Sequence, residues 1–152
     1  MANTFTQLYI QVVFAVKGRE NLISTKWEDE LHKYICGIVN GNKQKVYAIN
    51  GMPAPIHILL SVKPDIALSN LMRDIKTNSS KWINEKKLVA GKFQWQEGFG
   101  AFSYSQSQID YVINYIKNQK EHHTKKLFKE EYIELLNKFE IDYDEKYVFE
   151  FV

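Results

Sequence analysis

The sequence predicts an α+β fold of the ferredoxin-like, split βαβ type, with helices packed on one face of an antiparallel sheet. Hydrophobic patterns follow the order β-α-β-β-α-β and then turn helical to the end. The second and third strand patterns are separated only by Gly51-Met52-Pro53-Ala54-Pro55, so they read as antiparallel neighbours. Each half opens with a strand and is followed by a helix whose apolar residues fall on one side.

The elements follow in order. Thr4 to Val16 (TFTQLYIQVVFAV) is rich in β-branched and aromatic residues and reads as a strand. Lys17-Gly18-Arg19 turns the chain. Ser24 or Thr25 caps a helix that starts near Lys26, with Glu28, Asp29 and Glu30 at its positive end. Trp27, Leu31, Tyr34, Ile35 and Ile38 recur at helical spacing until Asn40-Gly41-Asn42 ends the helix. Cys36 within it reads as a buried structural thiol. Lys45 to Asn50 is the second strand and Ile56 to Val62 the third. Leu68, Leu71, Met72, Ile75, Ser79, Trp82 and Ile83 form the apolar stripe of a second helix. Gly91 to Gln96 and Gly100 to Tyr104 are short extended pieces around Gly98. Ser105 or Ser107 opens a third helix, the C-terminal tyrosine helix, running to about His123. Leu127 to Phe139 is a fourth.

A chain of 152 residues makes one domain, with residues 130–152 an acidic extension of it. A chain of this length folds without disulfide or structural metal. The lone Cys36 excludes an internal disulfide and a thiolate zinc site, and fits a reducing cytoplasm. No apolar run is long enough to span a membrane, and the first residues lack the pattern of a secretory signal. The net charge of +2 conceals an asymmetry. Residues 1–129 hold 18 Lys/Arg against 10 Asp/Glu, whereas residues 130–152 hold 2 against 8. A basic body suits an anionic partner such as nucleic acid; alternatively, the tail folds back on its own domain.

Two places carry candidate chemistry. His57 stands between Ile56 and Ile58 in an apolar strand, so it faces the opposite side of the sheet from its neighbours. In the third helix, Tyr111, Tyr115, Gln119 and His122/His123 make a polar stripe beside Ile109, Val112, Ile113 and Ile116. By spacing alone, the two features read as a structural histidine and an amphipathic helix with phenols in water.

The chain resembles the single-tyrosine transposases of small bacterial insertion sequences, in the HUH nuclease superfamily, to which the REP-associated tyrosine transposases are related. The resemblance runs from about Thr4 to Phe149. It rests on TQLYIQVVFAVKGRENLI, INGMPAPIHILLSV, MRDIKTNSSKWINEK and FQWQEGFGAFSYSQSQIDYVINYIKNQKEHH. It implies a dimer that binds single-stranded hairpin DNA and cleaves it with a helix tyrosine, leaving a 5′-phosphotyrosine and a free 3′-OH. It also implies Mg²⁺ or Mn²⁺, held by two histidines of a His-hydrophobic-His strand and by a Gln one turn after the tyrosine. By position, Tyr115 matches the nucleophile, Gln119 the helix ligand and His57 the second strand histidine. The i, i+4 spacing would let one helix deliver Tyr115 and Gln119 together.

This sequence departs from the family's Met-Pro-Asp-His-hydrophobic-His motif, reading Met52-Pro53-Ala54-Pro55-Ile56-His57. Pro55 stands at the first metal histidine and has no donor atom, so metal affinity and cleavage are expected to be impaired. The rival expectation is a non-catalytic hairpin-DNA-binding protein. An RNA-binding module is a distant third, because no RNP-type stacking motif is present. If another residue supplies the lost ligand, Glu121, His122 and His123 are the first candidates. Residues 63–92 carry seven basic and three acidic side chains. Among them Arg73, Lys76, Lys81, Lys86 and Lys87 are the expected phosphate contacts, and Phe99, Phe102 or Tyr104 could stack on bases.

Overall fold

The computed structural model describes residues 3–18, 21–122 and 127–148. Its elements are β1 (Tyr9–Ala15), α1 (Glu28–Gly41), β2 (Lys45–Gly51), β3 (Pro55–Ser61), α2 (Leu68–Glu85) and β4 (Gly100–Tyr104). A single 3-10 turn (Gln106–Gln108) then leads into α3 (Ile109–Lys117), α4 (Gln119–His122), α5 (Phe128–Lys138) and α6 (Glu145–Val148). The sheet order is β2-β3-β1-β4 with every pair antiparallel, the split βαβ arrangement that the element order predicts. No helix among the described residues is long and apolar enough to cross a membrane.

The first strand is shorter than its β-rich composition suggests. Pairing starts at Tyr9, opposite Ser61 and Tyr104, and Thr4–Leu8 lies exposed beyond the last ladder partners. Propensity without a partner strand does not make a strand.

Helices α1 and α2 share one face of the sheet, and the tyrosine helix α3 and helix α5 lie on the other. On the first face, Val12, Phe14, Ile56, Ile58 and Leu60 pack beneath Leu31, Ile35 and Val39 of α1 and Leu71, Ile75 and Ile83 of α2. On the second face, Ile109, Val112 and Ile116 of α3 pack on Tyr9, Ala48 and Leu59. Leu135 and Leu136 of α5 cover Val13 and Phe102. This two-sided cover explains why β3 is apolar almost throughout: both of its faces are buried. Cys36, on α1, is only partly buried.

The hairpin that positions His57 is tight. A side chain at Gly51 would place its Cβ 2.3 Å from the Pro55 carbonyl oxygen, so only glycine fits the last residue of β2. The Met52 amide closes the loop onto the same carbonyl at 3.0 Å.

The third helix is not continuous. It breaks at Asn118, between the two residues expected to share one helical face. Asn50 of β2 secures the break: its amide donates to the Lys117 carbonyl (2.9 Å), which the interruption would otherwise orphan. Its carbonyl oxygen accepts from Lys120 (3.1 Å), whose ammonium also pairs with Glu28 of α1 at 2.8 Å.

A candidate active site between the sheet and helix α5

One row of residues across the second face organises the site. Ladder pairing sets Asn50 of β2 opposite His57 of β3, His57 opposite Val13 of β1, and Val13 opposite Gly100 of β4. Each member holds part of the layer above. Asn50 ties down the α3–α4 junction. Val13 packs beneath α5. Gly100 leaves room for Tyr132 of α5; a Cβ there would lie 2.7 Å from the tyrosine ring.

His57, in the middle of that row, is fully buried and bonded at both nitrogens. Tyr104 donates to Oε1 of Gln11 at 2.8 Å. The Gln11 amide N–H then donates to His57 Nδ1 at 2.9 Å. In that orientation Nδ1 accepts, so Nε2 carries the proton and donates to Oε1 of Glu131 at 3.0 Å. Reversing the Gln11 amide, which keeps its shape, would exchange these roles.

Glu131, in the first turn of α5, is where the predicted residues meet. It is only 4% exposed. Its Oε1 bonds His57; its Oε2 accepts from the Tyr115 hydroxyl and from the Gln119 amide, the latter at 3.2 Å. Tyr115, His57 and Gln119 therefore assemble at one point, and they do so despite the break at Asn118. The shared surroundings follow from the sheet row and from α5, not from a single helical face.

Burial is the largest influence on the Tyr115 phenol, followed by its hydrogen bond to Glu131 and that carboxylate's charge; together they hold its pKa well above the ordinary phenol value. Tyr104 is pushed up to about 12, by burial first and then by Tyr111. Tyr115 is thus kept protonated, and its proton points at a carboxylate. A cleft lined by Tyr104, Tyr111, Tyr115, Glu131, Glu134 and Lys138 opens beside it. Tyr111 is two-thirds exposed at the rim, with the Lys138 ammonium 6.0 Å from its ring centre.

The basic residues expected to contact DNA lie elsewhere. Arg73, Lys76 and Lys81 are on α2, and Lys86 and Lys87 follow it directly, on the opposite side of the sheet from Tyr115. Arg73, Lys81, Lys86 and Lys87 are exposed. Lys81 approaches Glu85 at 4.0 Å, and Lys86 lies over the Trp82 ring at 5.5 Å. Lys76 is half-buried, and its ammonium holds the carbonyls of Gln96 and Gly98 in the segment leading to β4. Phe102 is a core residue, Phe99 is partly buried, and the Tyr104 hydroxyl is engaged by Gln11.

Sequence reasoning missed Gln11 and Glu131. Both carried a signal. Gln11 is a polar residue inside the apolar run Tyr9–Ala15 and lies diagonally across the ladder from His57. Glu131 stands four residues before Leu135, on the buried side of an amphipathic helix, where a carboxylate requires partners. Glu121 lies in α4 and is exposed; the side chain of His122 and all of His123 fall outside the described residues.

The expected Mg²⁺ or Mn²⁺ can be tested against these donors. Pro55 offers none. No group of three His, Cys, Asp or Glu side chains is arranged for an ion among the described residues. His57 and Gln119 nonetheless contact the two oxygens of one carboxylate at 3.0 and 3.2 Å. Donor atoms around a small octahedral ion also stand about 3 Å apart, given ligand distances of roughly 2.0–2.2 Å. Amide carbonyl and carboxylate oxygens suit Mg²⁺ or Mn²⁺, with an imidazole as the softer third donor, so the residues present fit such an ion.

A four-stranded antiparallel sheet with helices packed against it is an architecture this chain shares with solved transposases. Residues 4–119 match the family described as Transposase IS200 like, and the chain belongs to that family. Among solved structures, a candidate transposase from Deinococcus radiodurans R1 superposes with a TM-score of 0.62 at 20% identity, over 77% of this chain and 94% of that one. A REP-associated tyrosine transposase, solved bound to a REP hairpin, gives 0.58 at 14% identity, over 76% of this chain and 68% of that one. No curated protein matches the chain.

Proposed function

We propose that this member of the IS200-like transposase family binds single-stranded hairpin DNA and cleaves and rejoins strands through Tyr115. The observation that carries the reading is the meeting of Tyr115, His57 and Gln119 at one buried point. The likeness to a transposase solved with a REP hairpin supports the choice of DNA. In the cleavage step the Tyr115 oxygen bonds to phosphorus, the bond from phosphorus to the 3′ oxygen breaks, and the departing 3′ oxygen takes a proton from solvent water to become the 3′-OH. The phenolic proton passes to the carboxylate that already accepts its hydrogen bond, Glu131. His57 and Gln119 would hold Mg²⁺ or Mn²⁺, which when bound polarises the scissile phosphate. Arg73, Lys81, Lys86 and Lys87 supply phosphate contacts on the α2 side, well away from the reacting hydroxyl.

The working unit is a symmetric homodimer. Strands β2 and β4 leave the two edges of the sheet, and an unpaired edge invites a second copy. Sedimentation that finds only monomer at tens of micromolar, with and without hairpin DNA, removes this part of the proposal.

A second reading is a hairpin-DNA-binding protein without cleavage. It is favoured by Pro55 and by the Tyr115 phenol, whose buried surroundings oppose the phenolate. Denaturing electrophoresis with labelled hairpin DNA and Mn²⁺ separates the two. A covalent adduct that depends on Tyr115 establishes strand transfer; tight binding with no adduct establishes the second reading.

A further inference from the structure

We propose that Glu131 replaces the ligand lost at Pro55, completing a divalent-cation site with His57 and Gln119. The proposal rests on the metal-dependent reading above and goes beyond it by assigning a ligand from α5, a helix outside the matched residues 4–119.

The carboxylate approaches from the correct side. Pro55 and His57 alternate with Ile56 along β3, so a histidine at position 55 would have faced the same layer as His57. Glu131 enters that layer from above and touches His57 Nε2 at 3.0 Å through one oxygen. Its other oxygen touches the Gln119 amide at 3.2 Å and the Tyr115 hydroxyl. Reversing the Gln119 amide brings its carbonyl oxygen to the present nitrogen position without moving the chain. The Gln11 amide does the same for His57: reversed, its oxygen accepts Nδ1–H and frees the Nε2 lone pair toward Glu131. A ligating histidine needs that kind of support at its second nitrogen, and Gln11 is fully buried at 2.9 Å from it.

The exchange is also favourable chemically. An imidazole is replaced by a charged oxygen donor, which Mg²⁺ and Mn²⁺ prefer. One carboxylate oxygen can face the ion while the other keeps the Tyr115 hydroxyl, so nucleophile and ion would be coupled through a single side chain. Nor is the carboxylate on a loose strand of chain. Leu135 and Leu136 anchor α5 on Val13 and Phe102, and Tyr132 sits against Gly100.

The test uses the full chain and Mn²⁺ alone, read by the electron paramagnetic resonance of free Mn²⁺ and by calorimetry, with no DNA present. The unmodified protein should bind one Mn²⁺ per chain. Glu131→Gln, which keeps the size and most hydrogen bonds, should weaken binding at least tenfold. Adding Pro55→His to Glu131→Gln should recover affinity, a gain that unfolding cannot mimic. Equal Mn²⁺ affinity in the unmodified protein and Glu131→Gln overturns the proposal, as does no Mn²⁺ binding by the unmodified chain; Glu131 would then serve as a hydrogen-bond acceptor and not as a ligand. Hairpin affinity, measured separately without metal, tests the DNA reading: Glu131-dependent Mn²⁺ binding without hairpin binding sinks that reading and leaves the metal site standing.

Discussion

Tyr115 on α3 donates its phenolic hydrogen to Oε2 of Glu131 on α5, so the expected nucleophile is bonded to a residue from a different helix. That bond fixes the phenol's direction and its protonation together. It also ties the chemistry of residues inside the family match to a helix beyond it.

Tyr115→Phe keeps the ring and removes the donor. Any covalent DNA adduct should vanish while hairpin affinity persists. Glu131 retains His57 and Gln119 as donors, so the cost in stability should be about 1.5–3 kcal/mol, the range for a hydrogen bond to a charged group. Tyr111→Phe should keep the adduct, because Tyr111 is exposed at the cleft rim. An adduct that survives in Tyr115→Phe and disappears in Tyr111→Phe reverses the assignment.

Alkaline pH should destabilise the protein through its buried phenols. The unfolded phenols ionise near pH 10, while Tyr104 holds its proton to about 12 and Tyr115 and Tyr132 are also raised. Above pH 10 the folded state therefore binds more protons than the unfolded state, and stability falls as pH rises. Stability from these groups is fully present below pH 10. Thermal melts across this window should show the decline, and Tyr104→Phe should make it shallower. A melting temperature that is flat between pH 10 and 12 contradicts this account.

Gly100→Ala tests the seat of α5. The new methyl would meet the Tyr132 ring 2.7 Å away, so the tyrosine must shift. Overpacking of this kind costs about 1–3 kcal/mol. Hydrogen exchange should speed up in Phe128–Lys138 while the core of β1 and β3 stays protected. Tyr132→Ala in the same chain should lose less than the two separate costs combined, because the clash is gone. Unchanged exchange in α5 argues that the helix does not depend on this contact.

Alanine at Lys81, Lys86 and Lys87 together should weaken hairpin binding across all sequences and flatten its salt dependence. Adduct formation at saturating DNA should be little changed, since these residues are across the sheet from Tyr115. Lys76 belongs outside this set, because its substitution would also release the carbonyls of Gln96 and Gly98. An unaltered salt slope would move the DNA surface away from α2.

The elements and their order were legible because that information is local. Runs of β-branched and aromatic residues mark β1 and β3, and the short break between β2 and β3 makes those two antiparallel neighbours. What could not be read lies in contacts of long separation. The Asn118 break depends on Asn50 capping Lys117, 67 residues away in sequence, so a continuous polar stripe looked like one helix. Glu131 reaches His57 across 74 residues, and only the packing of α5 on Val13 and Phe102 brings them together. The charge balance of residues 130–152 leaves open whether the tail folds back on the basic body. The tail's Glu131 makes a specific buried contact, for which net charge holds no signal. Motif reading found Pro55 as a loss but had no means of looking beyond the motif for its replacement.

The position of α5 in the chain also sets an order of events at the ribosome. His57, Tyr115 and Gln119 are all synthesised before Glu131, and the strands that carry Asn50, Val13 and Gly100 precede it too. A domain folds as a unit, so these groups stay unjoined until α5 has been made and docked. Glu131 is the last of the four to be added, and the bond from Tyr115 to its carboxylate forms only once α5 is in place.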